Sequence, residues 1–280
     1  MNEFVVAAAQ FESIPGDVEA NLALALEGVR TAVERGARLV VLPEAALSGY
    51  ALDRDEMGPA AIEADGQALD TLARLGVVGD ATIVVGFLEH AAGRFYNAAA
   101  TIVPGRPPVI YRKAHLPRMG IDRYVEPGDR PFAVVDTPVG PLGTLICYDL
   151  RFPEPARVLA LSGAGMIAAP SAWPASATDY PEFLLRARAS ENRLLIVAAD
   201  QCGTGRGVTF LGRSQVVRAD GAVVAEAGAG AQVLTASFGP ESVAAARRVA
   251  GSPDGPAGLL ADRRPELYRG LDSRTNGVLR

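Results

Sequence analysis

Histidine and cysteine are scarce in this 280-residue sequence, which contains two of each. Two cysteines cannot build a disulfide framework, and the four positions 90, 115, 147 and 202 lack the paired spacing of a structural zinc site. A catalytic site that uses histidine has only His90 and His115 to draw on. A cysteine nucleophile in this chain is therefore expected to work with a base other than histidine.

Long apolar segments and an excess of positive charge are also lacking. No uninterrupted apolar run approaches the roughly 18 residues of a membrane-spanning helix, and the amino terminus has neither the cationic stretch nor the long apolar core of a signal peptide. The formal net charge of -5 argues against a mainly electrostatic grip on nucleic acid or anionic membrane. We therefore expect a cytoplasmic protein that binds neither.

The composition is that of a globular protein, with 49% hydrophobic and 21% charged residues. No linker divides the chain, so we expect a single domain over residues 1–250. Residues 251–280 are rich in Pro, Gly, Arg and Asp and predict an irregular tail, either loosely ordered or docked on a partner subunit.

Short apolar runs alternate with amphipathic segments along most of the chain. The run 3–11 predicts a buried strand, and apolar residues at helical spacing over 22–33, followed by Gly36, predict a helix with a glycine at its end. After Ser214 the pattern favours strands separated by turns. Because crossovers give parallel pairs and hairpins give antiparallel ones, the sequence predicts an α/β protein with a mixed sheet or sheets.

Two chemically useful side chains follow apolar runs, at the strand ends where open α/β sheets place their ligands. Cys147 follows the run 142–146 and precedes a polar stretch. Glu44 follows the run 38–42, where burial would raise its pKa towards that of a general base. When each residue is considered alone, the alternative interpretation of Cys147 is a buried core residue, and that of Glu44 is a solvated loop residue.

Lys113 and Glu126 are weaker candidates when each is considered alone. Lys113 ends a third strand-like run. The alternative interpretation of this residue is a lysine on an edge strand with its side chain in water. Glu126, in Glu-Pro-Gly, is by itself an ordinary turn residue.

The order and context of these residues are more specific than any one of them. Glu44 in Leu-Pro-Glu, Lys113 in Tyr-Arg-Lys-Ala-His-Leu and Cys147 in Ile-Cys-Tyr-Asp-Leu-Arg-Phe-Pro-Glu resemble the Glu-Lys-Cys triad of the nitrilase superfamily of carbon-nitrogen hydrolases. Lesser matches are Glu126 as the family's second glutamate, the loop 170–173 and the helix 186–192. The resemblance extends from residue 4 to about residue 240.

The resemblance implies a fold and an activity that the patterns alone do not provide. The fold is a four-layer α-β-β-α sandwich, in which two mixed sheets pack face to face under helices and the chain forms a homodimer or higher homo-oligomer. The activity is that of an amidohydrolase without metal or cofactor. Its partners are water and a small linear carboxamide, which is cleaved to a carboxylate and ammonia through a thioester.

The resemblance also assigns roles to individual residues. Cys147 attacks the amide carbonyl after Glu44 takes its proton, since a thiol with a pKa of about 8.5 needs a base. Lys113 and the backbone N–H of Tyr148 stabilise the oxyanion. Glu126 orients Lys113 or assists with a proton.

The residues after Cys147 favour the amidase branch of the family. Tyr148 and Asp149 stand where true nitrilases have Trp-Glu, and the run 147–154 is similar to omega-amidases and deaminated-glutathione amidases. Because the substrates of those enzymes carry a carboxylate, Arg151 and Tyr148 are candidate contacts for an anionic group. The alternative for Arg151 is an ion pair with Asp149 or Glu154.

Other features leave the substrate open among a carboxamide, an N-carbamoyl compound and a nitrile. The segment 116–124 departs from the expected omega-amidase sequence and is expected to line the pocket. Trp173 is a candidate pocket wall or a packed anchor. His115 is expected to position its loop by hydrogen bonds, and Cys202 to be a core or loop thiol.

Two functions of other classes are disfavoured. A nucleotide-binding module is suggested only by the glycine-rich run 203–207, after which no helix begins. A non-catalytic scaffold on the same fold would be expected to lack a triad residue, and all three are present.

Overall fold

The computed structural model of the protein describes residues 3–239 and 258–272. Its helices are α1 (Val18–Glu34), α2 (Met57–Ala60), α3 (Gln67–Gly79), α4 (Pro153–Leu161) and α5 (Leu185–Asn192). Its first strands are β1 (Phe4–Gln10), β2 (Ala37–Val41), β3 (Thr82–Ala91), β4 (Arg94–Ile102), β5 (Val109–Arg112), β6 (Val134–Thr137) and β7 (Gly140–Thr144). The later strands are β8 (Met166–Ser171), β9 (Leu195–Asp200), β10 (Thr204–Gly205), β11 (Val208–Thr209), β12 (Gln215–Val217), β13 (Val223–Glu226) and β14 (Gln232–Phe238).

Two six-stranded sheets form the centre of the fold, with strand orders β14-β1-β2-β3-β4-β5 and β13-β12-β9-β8-β7-β6. In the first sheet β1, β2 and β3 run parallel, and β14, β4 and β5 pair antiparallel with their neighbours. In the second sheet β7, β8 and β9 run parallel, and β6, β12 and β13 pair antiparallel. Both sheets are therefore mixed, as the sequence predicted.

The inner strands of the first sheet are buried on both faces. Val6 and Leu39 pack in the cluster that also contains Ile167 and Ile196 of the second sheet. Val40 instead packs with the helical residues Val29 and Leu72 of α1 and α3. Because successive strand side chains point to opposite faces, this double burial explains the continuous apolar runs.

Helices α4 and α5 contribute Leu159 and Ala189 to the cluster that contains the second sheet. The layers are then α1 with α3, the first sheet, the second sheet, and α4 with α5. The α/β sandwich with two mixed sheets is thereby confirmed.

Local sequence explains where the first helix begins. The Asp17 carboxylate accepts a hydrogen bond from the N–H of Ala20 at 3.0 Å, which caps α1. The glycine-rich run 203–207 lies in the β10–β11 hairpin rather than before a helix. Within the described ranges, no helix is long and apolar enough to span a membrane.

The expected domain boundary at residue 250, like much of the expected tail 251–280, falls outside the described residues. The described part, 258–272, contains the 3-10 turns Pro265–Leu267 and Arg269–Asp272. Leu259 and Tyr268 line a surface cleft together with Arg157 and Glu191 of the same chain. Docking of the tail on a partner subunit, and the homo-oligomer itself, remain predictions.

Candidate active site

The three residues of the predicted triad come together between the two sheets. Glu44 follows β2 and Lys113 follows β5 in the first sheet, whereas Cys147 comes three residues after β7 in the second. All three side chains are buried. Nζ of Lys113 lies 2.6 Å from Oε1 of Glu44, and the Glu44 carboxylate is near enough to the Cys147 thiol to influence its pKa.

Lys113 is not the solvated edge lysine that was its alternative interpretation. Although β5 is an edge strand, the Lys113 side chain is 0% exposed. Its ammonium donates to Oε1 of Glu44 at 2.6 Å and to Oδ2 of Asp122 at 2.5 Å. A buried lysine between two carboxylates is held in one position and keeps its charge.

Asn97 and Tyr50 complete this buried polar network. Nδ2 of Asn97 donates to Oε1 of Glu44 and to Oδ1 of Asp122, both at 2.7 Å. The Tyr50 hydroxyl donates to Oδ2 of Asp122 at 2.9 Å. These hydrogen bonds offset the cost of burying charge. Oε2 of Glu44 has no hydrogen-bond partner assigned within the described residues, which leaves this oxygen available to a proton from Cys147.

The acidic partner of Lys113 is Asp122 and not Glu126. The side chain of Glu126 is exposed, and the hydrogen bond found for this residue joins its backbone N–H to the carbonyl of Phe95 at 2.9 Å. The 3-10 turn Gly120–Arg123 instead buries Asp122 beside Lys113. The geometry therefore does not support the orienting role expected for Glu126. Asp122 lies in the segment 116–124, which departs from the expected omega-amidase sequence. This departure was the feature of the sequence that pointed to a functional role for the segment.

Cys147 occupies a strained backbone position at the start of the 3-10 turn Cys147–Arg151, with φ of +45°. A left-handed conformation of this kind costs about 1–3 kcal/mol in a residue other than glycine and is characteristic of functional sites. The turn is held by Oδ2 of Asp149, which accepts the N–H of Ile146 at 3.0 Å. The backbone N–H of Ala172 partly offsets the effect of burial on the pKa of the Cys147 thiol.

Asp149 also connects the loop of Cys147 to the loop of Lys113. Its carboxylate accepts the Tyr111 hydroxyl at 2.7 Å and the backbone N–H of His115 at 3.1 Å. Its Oδ1 lies 2.7 Å from Nδ1 of His115. His115 thus makes the loop-positioning contacts expected of it.

The backbone of Glu44 is held from both sheets. From the second sheet side, Nε2 of Gln201 donates to the Glu44 carbonyl at 2.8 Å, and the Glu44 N–H donates to the carbonyl of Ser171 at 3.2 Å. From the first sheet, Gly86 approaches so closely that a Cβ atom there would lie 2.6 Å from the Glu44 Cα. The position of the carboxylate is therefore set by contacts on both sides of the chain.

Burial and neighbouring charges set the protonation of the triad. Burial, reinforced by the Glu44 charge, raises the pKa of the Cys147 thiol well above its usual range. Burial also raises the pKa of Glu44, and the charge of Asp122 adds to the effect against that of Lys113. Burial alone would lower the pKa of Lys113, but Glu44 and Asp122 outweigh it and hold the pKa well above normal. Near neutral pH the site therefore contains a neutral thiol beside a charged lysine.

The predicted substrate contacts occupy different environments. Arg151 pairs with Asp179, with Nη1 2.7 Å from Oδ2, and not with either acid considered for it. Trp173 is fully buried, and its ring stacks on Tyr180 with the ring centres 5.1 Å apart. Tyr148, the second residue of the turn, packs its ring edge against Phe152.

Metal coordination has no evident site in this region. Across residues 3–239 and 258–272, no group of three or more His, Cys, Asp or Glu side chains is arranged to hold a metal ion. The arrangement instead provides a thiol, a carboxylate that can exchange a proton with it, and a fixed cation.

Comparison with known proteins agrees with this arrangement. The family model described as carbon-nitrogen hydrolase matches residues 5–248. The chain is 33% identical to a hydrolase encoded in the pqqF 5′ region of Pseudomonas protegens over 93% of this chain and 89% of the relative. It is 32% identical to N-carbamoylputrescine amidase of Solanum lycopersicum over 95% and 94%, respectively.

A solved structure shares the fold. An amidase from Nesterenkonia sp. superposes with a TM-score of 0.80 at 27% identity, over 96% of this chain and 97% of that one. The sandwich and its buried thiol, carboxylate and lysine define a hydrolase of the nitrilase superfamily. The protein belongs to the carbon-nitrogen hydrolase family, as its sequence motifs indicated.

Proposed function

We propose that this protein is an amidase that hydrolyses a small linear carboxamide to a carboxylate and ammonia. The observation that carries the proposal is the buried contact of Lys113 with Glu44, with the thiol of Cys147 beside the same carboxylate. These groups supply a nucleophile, a base and a cation at one point, which is what amide hydrolysis requires.

In the first half of the reaction, Sγ of Cys147 attacks the amide carbonyl carbon while Glu44 takes the thiol proton. The charge that develops on the carbonyl oxygen is stabilised by Nζ of Lys113 and by the backbone N–H of Tyr148. Collapse of the tetrahedral intermediate breaks the carbon–nitrogen bond. Glu44 returns the proton to the nitrogen, which leaves as ammonia, and a thioester remains on Cys147.

In the second half, a water molecule attacks the thioester carbonyl and Glu44 takes a proton from it. The carbon–sulfur bond breaks, and Glu44 returns its proton to the sulfur, which restores the thiol of Cys147. The acid product gives its remaining proton to solvent and leaves as the carboxylate. The raised pKa of Glu44 suits both halves, because a carboxylate of raised pKa accepts and returns protons more readily near neutral pH. Asp122 and Asn97 hold Lys113 and Glu44 in place throughout.

The structural relative supports covalent chemistry at the cysteine. A mutant of the Nesterenkonia amidase shows covalent addition of the acetamide moiety of fluoroacetamide at its active site cysteine. By analogy, we propose that Cys147 is the nucleophile in this chain.

Hydrolysis of an N-carbamoyl compound is the second candidate function. It is favoured by the N-carbamoylputrescine amidase of Solanum lycopersicum, which the chain matches over nearly the whole length of both proteins. Here the same triad would release carbon dioxide as well as ammonia. Nitrile hydrolysis is less favoured, since Tyr148-Asp149 follow the nucleophile.

An assay of ammonia release over a panel of short carboxamides and N-carbamoyl amines tests the proposal. We expect turnover of at least one carboxamide, a covalent acyl adduct detected by intact mass spectrometry, and loss of both in Cys147→Ala. Loss of the nucleophile of a triad lowers kcat by about 10⁶-fold in well-studied hydrolases. Undiminished turnover by a folded Cys147→Ala variant would contradict the assignment, and carbon dioxide release would favour the second candidate.

A further inference from the structure

Arg151, the residue that the sequence suggested for binding a substrate carboxylate, already has an acidic partner. Its Nη1 lies 2.7 Å from Oδ2 of Asp179, and the two side chains are exposed to the same extent, 42% and 41%. Asp179 directly precedes Tyr180, the first residue of the π-helical turn Tyr180–Leu184. The ion pair therefore joins the turn that follows Cys147 to the segment that carries Tyr180.

Tyr180 connects this ion pair to the catalytic centre. Nε of Arg151 donates to the Tyr180 hydroxyl at 3.3 Å, and the guanidinium carbon lies 4.9 Å from the centre of the ring. The other side of the connection is Trp173, which stacks on Tyr180 and follows Ala172, whose N–H lowers the pKa of the Cys147 thiol. Burial first, and the proximity of Cys147 second, raise the pKa of Tyr180.

The charges around Cys147 disfavour an anionic substrate. Lys113 is paired with both Glu44 and Asp122, so the inner site has one positive charge against two negative ones. Outside it, the charge of Arg151 is matched by Asp179. In the described part of the chain, neither of these cations is left without a carboxylate. A substrate carboxylate would thus have to displace an existing acidic partner.

We propose that Asp179 is a specificity-determining residue, which occupies the guanidinium of Arg151 and so excludes amides whose acyl chain carries a carboxylate. This rests on the amidase function proposed above and names its substrate class, namely amides whose acyl chain carries no negative charge. Without Asp179, Arg151 would be free to bind a carboxylate in the bidentate manner that its planar guanidinium permits.

Two substrates of equal chain length test this directly. Butyramide has a methyl group where succinamate has a carboxylate, so the ratio of their kcat/KM values measures the cost of the negative charge. We expect the wild-type protein to favour butyramide. Asp179→Asn is expected to raise kcat/KM for succinamate relative to butyramide at least about tenfold, the effect of one hydrogen bond to a charged group.

Two further variants identify the cause of any gain. The double variant Asp179→Asn with Arg151→Met is expected to lose the gain, because the freed guanidinium is no longer present. Asp220→Asn breaks the Arg218–Asp220 pair, in which the side chains are 52% and 47% exposed, and serves as the matched control that leaves the ratio unchanged. Circular dichroism establishes that each variant is folded.

The possible results separate this inference from the proposed function. Absence of turnover of every amide by the wild-type protein would overturn both. Turnover of amides with a wild-type preference for succinamate, an unchanged ratio in Asp179→Asn, or an equal gain in Asp220→Asn would overturn the role of Asp179 and leave the amidase function intact.

Discussion

The two sheets contribute unlike halves of the active site. On the first-sheet side, Glu44, Asn97, Lys113 and Asp122 are buried polar side chains joined by direct hydrogen bonds. On the second-sheet side, the reactive group is a single thiol on a strained turn, which is held by the hydrogen bond from the N–H of Ile146 to Asp149. The first half depends on charge compensation and the second on backbone conformation.

This difference separates stability from catalysis. Lys113 cannot be removed from this half without leaving two buried carboxylates unpaired, so folding and activity are expected to fail together. The thiol compensates no charge, so its removal is expected to abolish activity while the fold persists. Four predictions, from the largest combined effect to the smallest, test this comparison.

Lys113→Met is expected to have the largest combined effect. The substitution leaves the carboxylates of Glu44 and Asp122 buried without their cation, which is expected to lower the free energy of unfolding by about 3–5 kcal/mol. Loss of the oxyanion cation is expected to reduce kcat by at least about 10²–10³-fold. Chemical denaturation and ammonia release measure the two effects.

The matched variant on the other half is Cys147→Ala. We expect it to be inactive and to keep its free energy of unfolding within about 1 kcal/mol of wild type. Equal stability losses in Lys113→Met and Cys147→Ala would remove the distinction between the halves.

Gly86→Ala tests how firmly the Glu44 backbone must be held. A Cβ atom at this position would lie 2.4 Å from the Pro43 carbonyl oxygen and 2.6 Å from the Glu44 Cα. Displacement of Glu44 is expected to lower kcat about 10²-fold. Overpacking is expected to lower the free energy of unfolding by about 1–3 kcal/mol. In the control Gly58→Ala the new Cβ meets no atom within 4 Å, so activity and stability should match wild type. A fully active Gly86→Ala protein would show that the base tolerates displacement.

Asp122→Asn is expected to have the smallest effect, on the pH dependence of kcat/KM. The Asp122 charge helps to raise the pKa of Glu44, and Glu44 must be ionised to act as the base. Removing that charge lowers the pKa of Glu44, so the acid limb of the profile should move to lower pH. The control Asp129→Asn alters an exposed carboxylate paired with Arg112, and the acid limb of its pH profile should match that of the wild type. A limb that moved to higher pH in Asp122→Asn would contradict the electrostatic link.

The fold class and the triad were predictable for different reasons. Strands buried on both faces are encoded locally as continuous apolar runs such as 39–42, and the structure confirms a mixed α/β arrangement. Glu44, Lys113 and Cys147 were found because each follows such a run in a recognisable motif. The four layers came from the family resemblance, since periodicity does not tell which sheet packs on which.

The acidic partner of Lys113 was not predictable in the same way. Asp122 and Glu126 are only four residues apart, and both follow Lys113 by a short distance along the chain. The choice between them depends on the turn Gly120–Arg123, which brings Asp122 against Tyr50 and Asn97. Those partners lie 72 and 25 residues from Asp122 along the chain, so no local pattern identifies them.

The sequence by itself determined the family and the alternation of strands and helices, and it predicted the nucleophile, base and cation, because these are written in short motifs and local periodicity. Only the tertiary structure decided that Lys113 is buried although it follows an edge strand, that Asp122 replaces Glu126 beside it, and that Arg151 pairs with Asp179. The physical reason is that burial and ion pairing depend on groups from distant segments and from both sheets. The scarcity of histidine is consistent with this site, in which a buried glutamate and a buried lysine flank the thiol.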